Sequence, residues 1–231
     1  FNYLNMKITY LGHASLSINI NGKNLIIDPF ISGNELAKDI DLNALEADYI
    51  LLTHAHQDHV LDVESIAERT GASIICNAEM SYYYEKKRLK VIGMNTGGQF
   101  STDGINIRST IAFHSSSFAD GTYGGNPNGY VISTDNKKIY VAGDTALTQE
   151  MKLIPTLVGK LDLAVFPIGD HFTMGIEDAC LAADFVECNK VLGYHFDTFP
   201  PITIDHDQAK SHFQSKGKEL ILLKIGENLK I

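Results

Sequence analysis

Four metal-donor side chains crowd into six consecutive positions, His54-Ala55-His56-Gln57-Asp58-His59, directly after Thr53. Imidazole and carboxylate donors together suit zinc, with manganese or iron as alternatives. Neutral histidines gathered away from water are costly unless something binds their lone pairs. On an extended or turning backbone His54 and His56 point to one side, and the following turn swings Asp58 and His59 toward a neighbouring point. One loop can therefore serve two ions. The competing reading is a polar surface loop in which Asp58 caps the next helix.

Further donors stand at predicted strand ends. His114 closes a strand over 107–113 and opens a loop rich in serine and glycine. Asp144 lies in Val141-Ala142-Gly143-Asp144-Thr145, where the glycine lets backbone and carboxylate approach a site closely; its alternative role is a helix cap. His195 follows the β-rich residues 190–192 and is otherwise a core histidine.

The elements that carry these residues follow from periodicity. Residues 7–11 read as a strand broken by Gly12, 15–20 alternate again, and Asn21-Gly22 turns the chain into 24–28. A short helical or turn segment covers 41–47, and 48–53 form a buried strand running into the histidine cluster. Helices are expected over 62–70, ended by Gly71, and over 78–87, with a strand at 72–76 between them. Short strands cross 91–114, punctuated by Gly97-Gly98 and Asp103-Gly104, and 129–133 pairs with 138–142 across Asp135-Asn136. Helices near 149–157, 176–187 and 207–216 then alternate with strands at 161–167, 190–195 and 219–225.

This order predicts an α/β chain of two facing mixed sheets with helices outside them. The rough likeness of the two halves suits a pseudo-duplicated architecture. A single domain is expected over 6–231, and residues 1–5, ahead of Met6, read as a non-native remnant or disordered extension.

With 44% hydrophobic and 20% charged residues, the 231-residue chain can bury a core without staples. The formal charge of -9, with Lys and Arg dispersed, disfavours nucleic acid as a partner. No apolar run approaches the roughly 18 residues of a membrane span, and no signal pattern is visible, so a cytoplasmic protein without membrane partners is expected. Cys76, Cys180 and Cys188 read as reduced, buried thiols.

His54-x-His56-x-Asp58-His59 resembles the signature of the metallo-β-lactamase superfamily. The resemblance implies an αββα four-layer sandwich and a binuclear centre. His54, His56 and His114 would hold one divalent ion, Asp58, His59 and His195 the other, and Asp144 would bridge them. Leu11-Gly-His-Ala-Ser15, Ile26-Ile-Asp-Pro-Phe30 and Gly169-Asp-His-Phe-Thr-Met-Gly175 narrow it to an uncharacterised metal-dependent hydrolase branch similar to the ascorbate-6-phosphate lactonase. The similarity spans the chain from Met6.

Within that resemblance Asp28 is expected to orient the ligand loop by hydrogen bonding, or else to cap the turn at Pro29. His13, on a turn, is a candidate for touching substrate or a ligand. Asp170 and His171 lie in a strand-to-helix loop of the kind that carries function. His171 would donate a proton to the oxyanion or leaving group; otherwise it is a polar loop residue and Asp170 a cap.

The expected activity is hydrolysis of a small-molecule ester, lactone or phosphoester by a metal-bridging hydroxide, with Asp58 binding metal and orienting the hydroxide proton. No Gly-x-Ser-x-Gly elbow is present, and Ser115, Ser116 and Ser117 read as loop residues. Alternatives are a phosphodiesterase or nuclease on the same site, a non-catalytic metal sensor, and a di-iron redox protein. A homo-oligomer is compatible with the sequence.

Overall fold

The computed structural model describes residues 6–231, so the reading of residues 1–5 lies outside it. The first half contains β1 (Met6–Gly12), β2 (Ser15–Ile20), β3 (Lys23–Ile27), β4 (Tyr49–Leu51), a one-turn α1 (Gln57–Val60), α2 (Val63–Thr70), β5 (Ser73–Cys76), α3 (Ala78–Glu85) and β6 (Val91–Gly93). The second contains β7 (Gln99–Thr102), β8 (Ile105–Ile111), β9 (Asn128–Ser133), β10 (Lys138–Val141), α4 (Leu153–Val158), β11 (Leu163–Pro167), α5 (Ile176–Phe185), β12 (Lys190–Tyr194), α6 (His206–Ser215), β13 (Glu219–Ile221) and β14 (Asn228–Lys230).

Local chemistry sets many of these boundaries. Asn21 and Gly22 both take positive φ, 54° and 78°, which closes the β2–β3 hairpin with the hand that matches strand twist. Gly71 ends α2 in the left-handed region and returns its N–H to the Ala67 carbonyl. The Asn77 side chain accepts from the Met80 N–H and starts α3.

Two seven-stranded mixed sheets result, ordered β14-β1-β2-β3-β4-β5-β6 and β13-β12-β11-β10-β9-β8-β7. In each, antiparallel pairing over four strands gives way to parallel pairing over the last three, from β3 to β4 in one sheet and from β10 to β11 in the other. The two halves therefore repeat one topology.

Period-two alternation sends successive residues of the strands into different layers. Leu51, Ile75, Val165 and Leu192 face inward and join the core between the sheets. Ile50 and Ile74 face outward under Val63, Ile66, Met80 and Tyr84 of α2 and α3, while Ala164, Phe166 and Val191 face outward under α5 and α6. Both faces of the parallel strands are covered, giving the αββα layering of the metallo-β-lactamase fold.

Three expectations shift. The strand over 219–225 shortens to β13, and β14, at Asn228–Lys230, was not anticipated. The helix near 149–157 begins as a 3-10 turn at Gln149–Lys152 and becomes α4 at Leu153; Pro155 sits in the first turn of α4, where its missing N–H costs nothing. The three cysteines are buried and free. Among the described residues no helix is long and apolar enough to cross a membrane.

Leu192 is fully buried between the sheets, one turn of chain before His195. Leu192→Ala is expected to destabilise the fold by about 2–5 kcal/mol in urea denaturation while metal content per folded molecule stays unchanged.

Candidate metal centre

The donors collect along one edge of the sandwich, each where a strand of the inner layers ends. β4 delivers Thr53 and His54, α1 carries Asp58 and His59, β8 leads to His114, β10 to Asp144, and β12 to His195. Several cross-ties hold these ends in register. The Asn128 N–H donates to the Thr53 carbonyl at 2.9 Å, the Tyr130 hydroxyl to the Leu52 carbonyl at 2.7 Å, and the Phe113 N–H to Thr145 Oγ1 at 2.9 Å.

Gly143 shows why a glycine precedes Asp144. Its φ is 69°, and a Cβ there would lie 2.7 Å from the Asn128 carbonyl oxygen. The glycine brings β10 against the histidine loop and aims the carboxylate at the cluster, as its sequence context suggested.

Asp144 Oδ2 lies 3.0 Å from His195 Nε2, 3.3 Å from His59 Nε2, 3.6 Å from His114 Nε2 and 4.0 Å from His54 Nε2. Among the described residues three sets of donors bring their ligand atoms within 4.8 Å of one another: His54, His56 and His114; His13, Asp58, His59 and His195; and Asp28, His54 and His59. The structure thus brings His54, His56 and His114 together, and Asp58, His59 and His195 together. His13 is the addition. It is buried, with Nε2 2.9 Å from Asp58 Oδ2 and Nδ1 2.8 Å from Thr198 Oγ1.

Asp28 stands behind the cluster as expected, fully buried. It accepts from the Thr53 N–H at 2.8 Å, from the Thr53 hydroxyl at 2.5 Å and from His59 Nδ1 at 2.8 Å. Since the Thr53 hydroxyl gives its proton to Asp28, its oxygen accepts from His54 Nδ1, 3.0 Å away. One carboxylate thereby places the protons of both imidazoles on Nδ1 and leaves their Nε2 atoms facing the cluster. Thr53 precedes the histidine motif directly, yet its role appears only when Asp28 is brought beside it.

The electrostatics follow from dry packing. Burial pushes the imidazoles of His54, His56 and His114 down from their ordinary value, and His13 down to about 4, so these rings favour the neutral form that binds metal. Burial also raises the Asp144 carboxyl, but His195 and His59 outweigh it and hold it well below the usual carboxylate range. Asp58 is lowered in the same way by its hydrogen bond from His13, against the effect of burial. For His59, Asp144 and Asp28 overcome burial and raise the imidazole well above its ordinary value.

Cations fit these residues better than the residues fit one another. His59 Nε2, His195 Nε2 and Asp144 Oδ1 are buried without a hydrogen-bond partner, although they crowd one small volume. His54 Nε2 and His56 Nδ1 stand 3.0 Å apart, close to the separation of about 3.3 Å for two nitrogens bound tetrahedrally to one zinc. An N- and O-donor set of this kind suits zinc, manganese or iron.

Asp170 and His171 are not brought to the cluster. Both take positive φ, 59° and 57°, in a tight exposed turn, and the His171 ring packs edge-on against Phe172. Asp170 instead lines a separate cavity of ≈ 520 Å³ beside α5 and α6. The residue of this turn that reaches the metal-side cleft is Phe172, which lines it together with Phe30, Leu61, Phe199 and Pro201; the sequence reading assigned none of the five a role, because an apolar side chain in a loop carries no donor chemistry to single it out. Ser115 also reaches the cleft, its Oγ 3.3 Å from His56 Nε2.

A family model described as the β-lactamase superfamily domain matches residues 23–196, which include every donor of the cluster except His13. A UPF0173 metal-dependent hydrolase of Flavobacterium johnsoniae is 58% identical over 226 residues, covering 98% of this chain and 100% of that protein. The chain belongs to the UPF0173 metal-dependent hydrolases of the β-lactamase superfamily. A family member from Thermus thermophilus is 42% identical over 226 residues, covering 98% of this chain and 99% of that one. Among solved structures, Igni18, a metallo hydrolase from Ignicoccus hospitalis, superposes with a TM-score of 0.89 at 35% identity over 98% of both chains.

Two outcomes are expected of this UPF0173 centre. Asp28→Asn, which removes the charge and puts an amide donor in place of one of the two oxygens that accept from Thr53 and His59, should weaken metal affinity about 10–100-fold, measured by competition with a chromogenic chelator, while circular dichroism stays unchanged. Because His59 retains its proton above the ordinary pKa, a cation at Nε2 must displace that proton. Metal uptake should therefore release protons and tighten as pH rises, read by calorimetry in buffers of different ionisation enthalpy.

Proposed function

We propose that this chain is a binuclear metal-dependent hydrolase of small molecules. His54, His56 and His114 would hold one divalent ion and Asp58, His59 and His195 the other, with Asp144 placed to serve both, and zinc would be the best match, with manganese or iron as alternatives. The observation that carries the reading is the approach of four histidine nitrogens to one buried oxygen, Asp144 Oδ2, at 3.0 to 4.0 Å. The hydrolase names of its relatives support the same reaction class.

When bound, such a pair of cations acidifies water toward neutral pH and polarises an electrophilic carbonyl or phosphoryl oxygen. The protein's own part is to hold, orient and shield. His13 donates from Nε2 to Asp58 Oδ2, which fixes the carboxylate and leaves Oδ1 to take the proton of the attacking solvent molecule. The ionised Asp58 carboxylate can only accept, which places the proton of neutral His13 on Nε2 and leaves Nδ1 as the acceptor facing Thr198 Oγ1 at 2.8 Å. No hydroxyl replaces solvent as nucleophile: Ser115 faces His56 through the ring nitrogen opposite the one nearest His54, and Ser116 spends its hydroxyl on the Gly124 carbonyl.

Elemental analysis of untreated protein, followed by a panel of lactones, carboxylic esters, thioesters and phosphodiesters, tests this reading. Near two equivalents of metal with hydrolysis that is lost on chelation and restored on reloading support it. A metal-replete protein inert to the whole panel, or an iron-laden one with a visible spectrum that bleaches on reduction, favours the sensor or redox alternative. Asp58→Ala is expected to remove turnover by at least about 10²-fold. Near-wild-type turnover at full metal occupancy would refute the role of Asp58. His171→Ala, distant from the cluster, should leave metal content intact and affect rate less than His13→Ala does.

A further inference from the structure

The cleft above the cluster has an uneven chemistry. It measures ≈ 770 Å³, and its floor carries Asp58, Asp144, His114 and His195. Its wall is apolar: Phe30, Leu61, Phe172, Phe199 and Pro201. No Lys or Arg lines it among the described residues. Phe30 and Phe199 lie with ring centroids 6.3 Å apart, and Phe199 also packs edge-on against His13 at 5.4 Å, so the wall begins at the cluster itself. Phe172 and Leu61 continue it toward solvent, 52% and 37% exposed.

Gly33 shapes this wall. A Cβ there would stand 2.5 Å from the Phe30 ring and 2.7 Å from Leu61 Cδ2, so only glycine lets these two side chains come together beneath it. Exposed aromatic and aliphatic groups gain from being covered by apolar surface. A charged substituent laid on them would lose hydration without gaining a partner. The volume lies in the range of pockets that enclose a whole small molecule, well beyond an acetyl group.

We propose that the cleft selects a carbonyl substrate whose non-reacting part is uncharged and apolar, aromatic or branched alkyl in size, with Phe172 and Leu61 as specificity-determining residues. This rests on the hydrolase reading for its chemistry, but the wall makes its own claim about binding. A substrate with a distal phosphate or carboxylate, such as a sugar-phosphate lactone, finds no counter-charge on this wall. Hydrolysis here adds water across the acyl bond, the oxygen of water joining the carbonyl carbon and the alcohol leaving with a proton, and requires no other reactant.

The test uses metal-loaded full chain and three methyl esters with one leaving group: methyl phenylacetate, methyl acetate and monomethyl succinate. Methyl phenylacetate should exceed monomethyl succinate in kcat/KM by at least about 10-fold, a modest demand for an apolar site. Phe172→Ala should raise KM for methyl phenylacetate with little change in kcat, and by a larger factor than it raises KM for methyl acetate. Phe172→Arg should narrow or reverse the preference. Both changes are at an exposed side chain, and thermal melts confirm that the variants fold.

A binding arm separates this inference from the hydrolase reading. Saturation-transfer NMR compares phenylacetamide with succinamate on wild type and Phe172→Ala. Preferential binding of phenylacetamide, weakened by Phe172→Ala, upholds the wall even where no ester is cleaved, in which case the hydrolase reading alone falls. Equal or better turnover and binding of the succinyl probes, or indifference to Phe172→Ala in both arms, overturns the inference.

Discussion

A carboxylate sealed from water among imidazoles is the constraint around which this protein is arranged. Asp144 is 3% exposed, and four histidine nitrogens stand within 4.0 Å of its Oδ2. Removing such a charge from water costs several kcal/mol unless a counter-charge replaces the lost solvation. Protons on the histidines can supply that charge only in part, since burial drives His54 and His114 toward neutrality. Metal cations would supply that charge and would also use the orphaned nitrogens of His59 and His195.

Holding the donors open for such a cation falls to a second buried carboxylate. Asp28 sits one layer behind, and through Thr53 and His59 it decides which face of two imidazoles is unprotonated. The backbone bears part of the cost. His13, Asp28 and His195 all take left-handed φ, 54°, 44° and 55°, and such positions cost about 1–3 kcal/mol each in non-glycine residues. They persist because the sheets over-determine them: the His195 N–H donates to the His13 carbonyl at 2.8 Å, and the Asp28 N–H to the Leu51 carbonyl at 3.2 Å. A site at the edges of two sheets is thus braced by the cores behind it, and strain collects where the chemistry is.

The pseudo-duplicated sheets explain why one edge can hold so many donors. Each half turns from antiparallel to parallel pairing at its middle, β3–β4 and β10–β11, and these strands end side by side at the cluster. Loops leaving them need only one or two residues to present a side chain, so positional freedom is small. The loops that carry Phe172 and Phe199 form the wall above the metal floor.

The chain by itself determined a great deal. The spacing of His54, His56, Asp58 and His59 marks a metal loop because no ordinary folding role needs four such donors together. Turn chemistry at Asn21-Gly22 and Gly71, and the alternation of strands with helices, gave the layer order, since these signals depend on neighbours along the chain. β14, which pairs with β1 at the far end of the chain, was not read, because its three residues acquire a strand's role only from the partner strand beside them. What only the tertiary structure decided is who meets whom across long separations. His13 touches Asp58, 45 positions away, and Thr198, 185 positions away; Asp28 reaches Thr53 and His59; Phe172, rather than His171, enters the cleft. Such pairings are fixed by sheet register and by the direction a strained turn gives its side chains, and neither is a property of residue type.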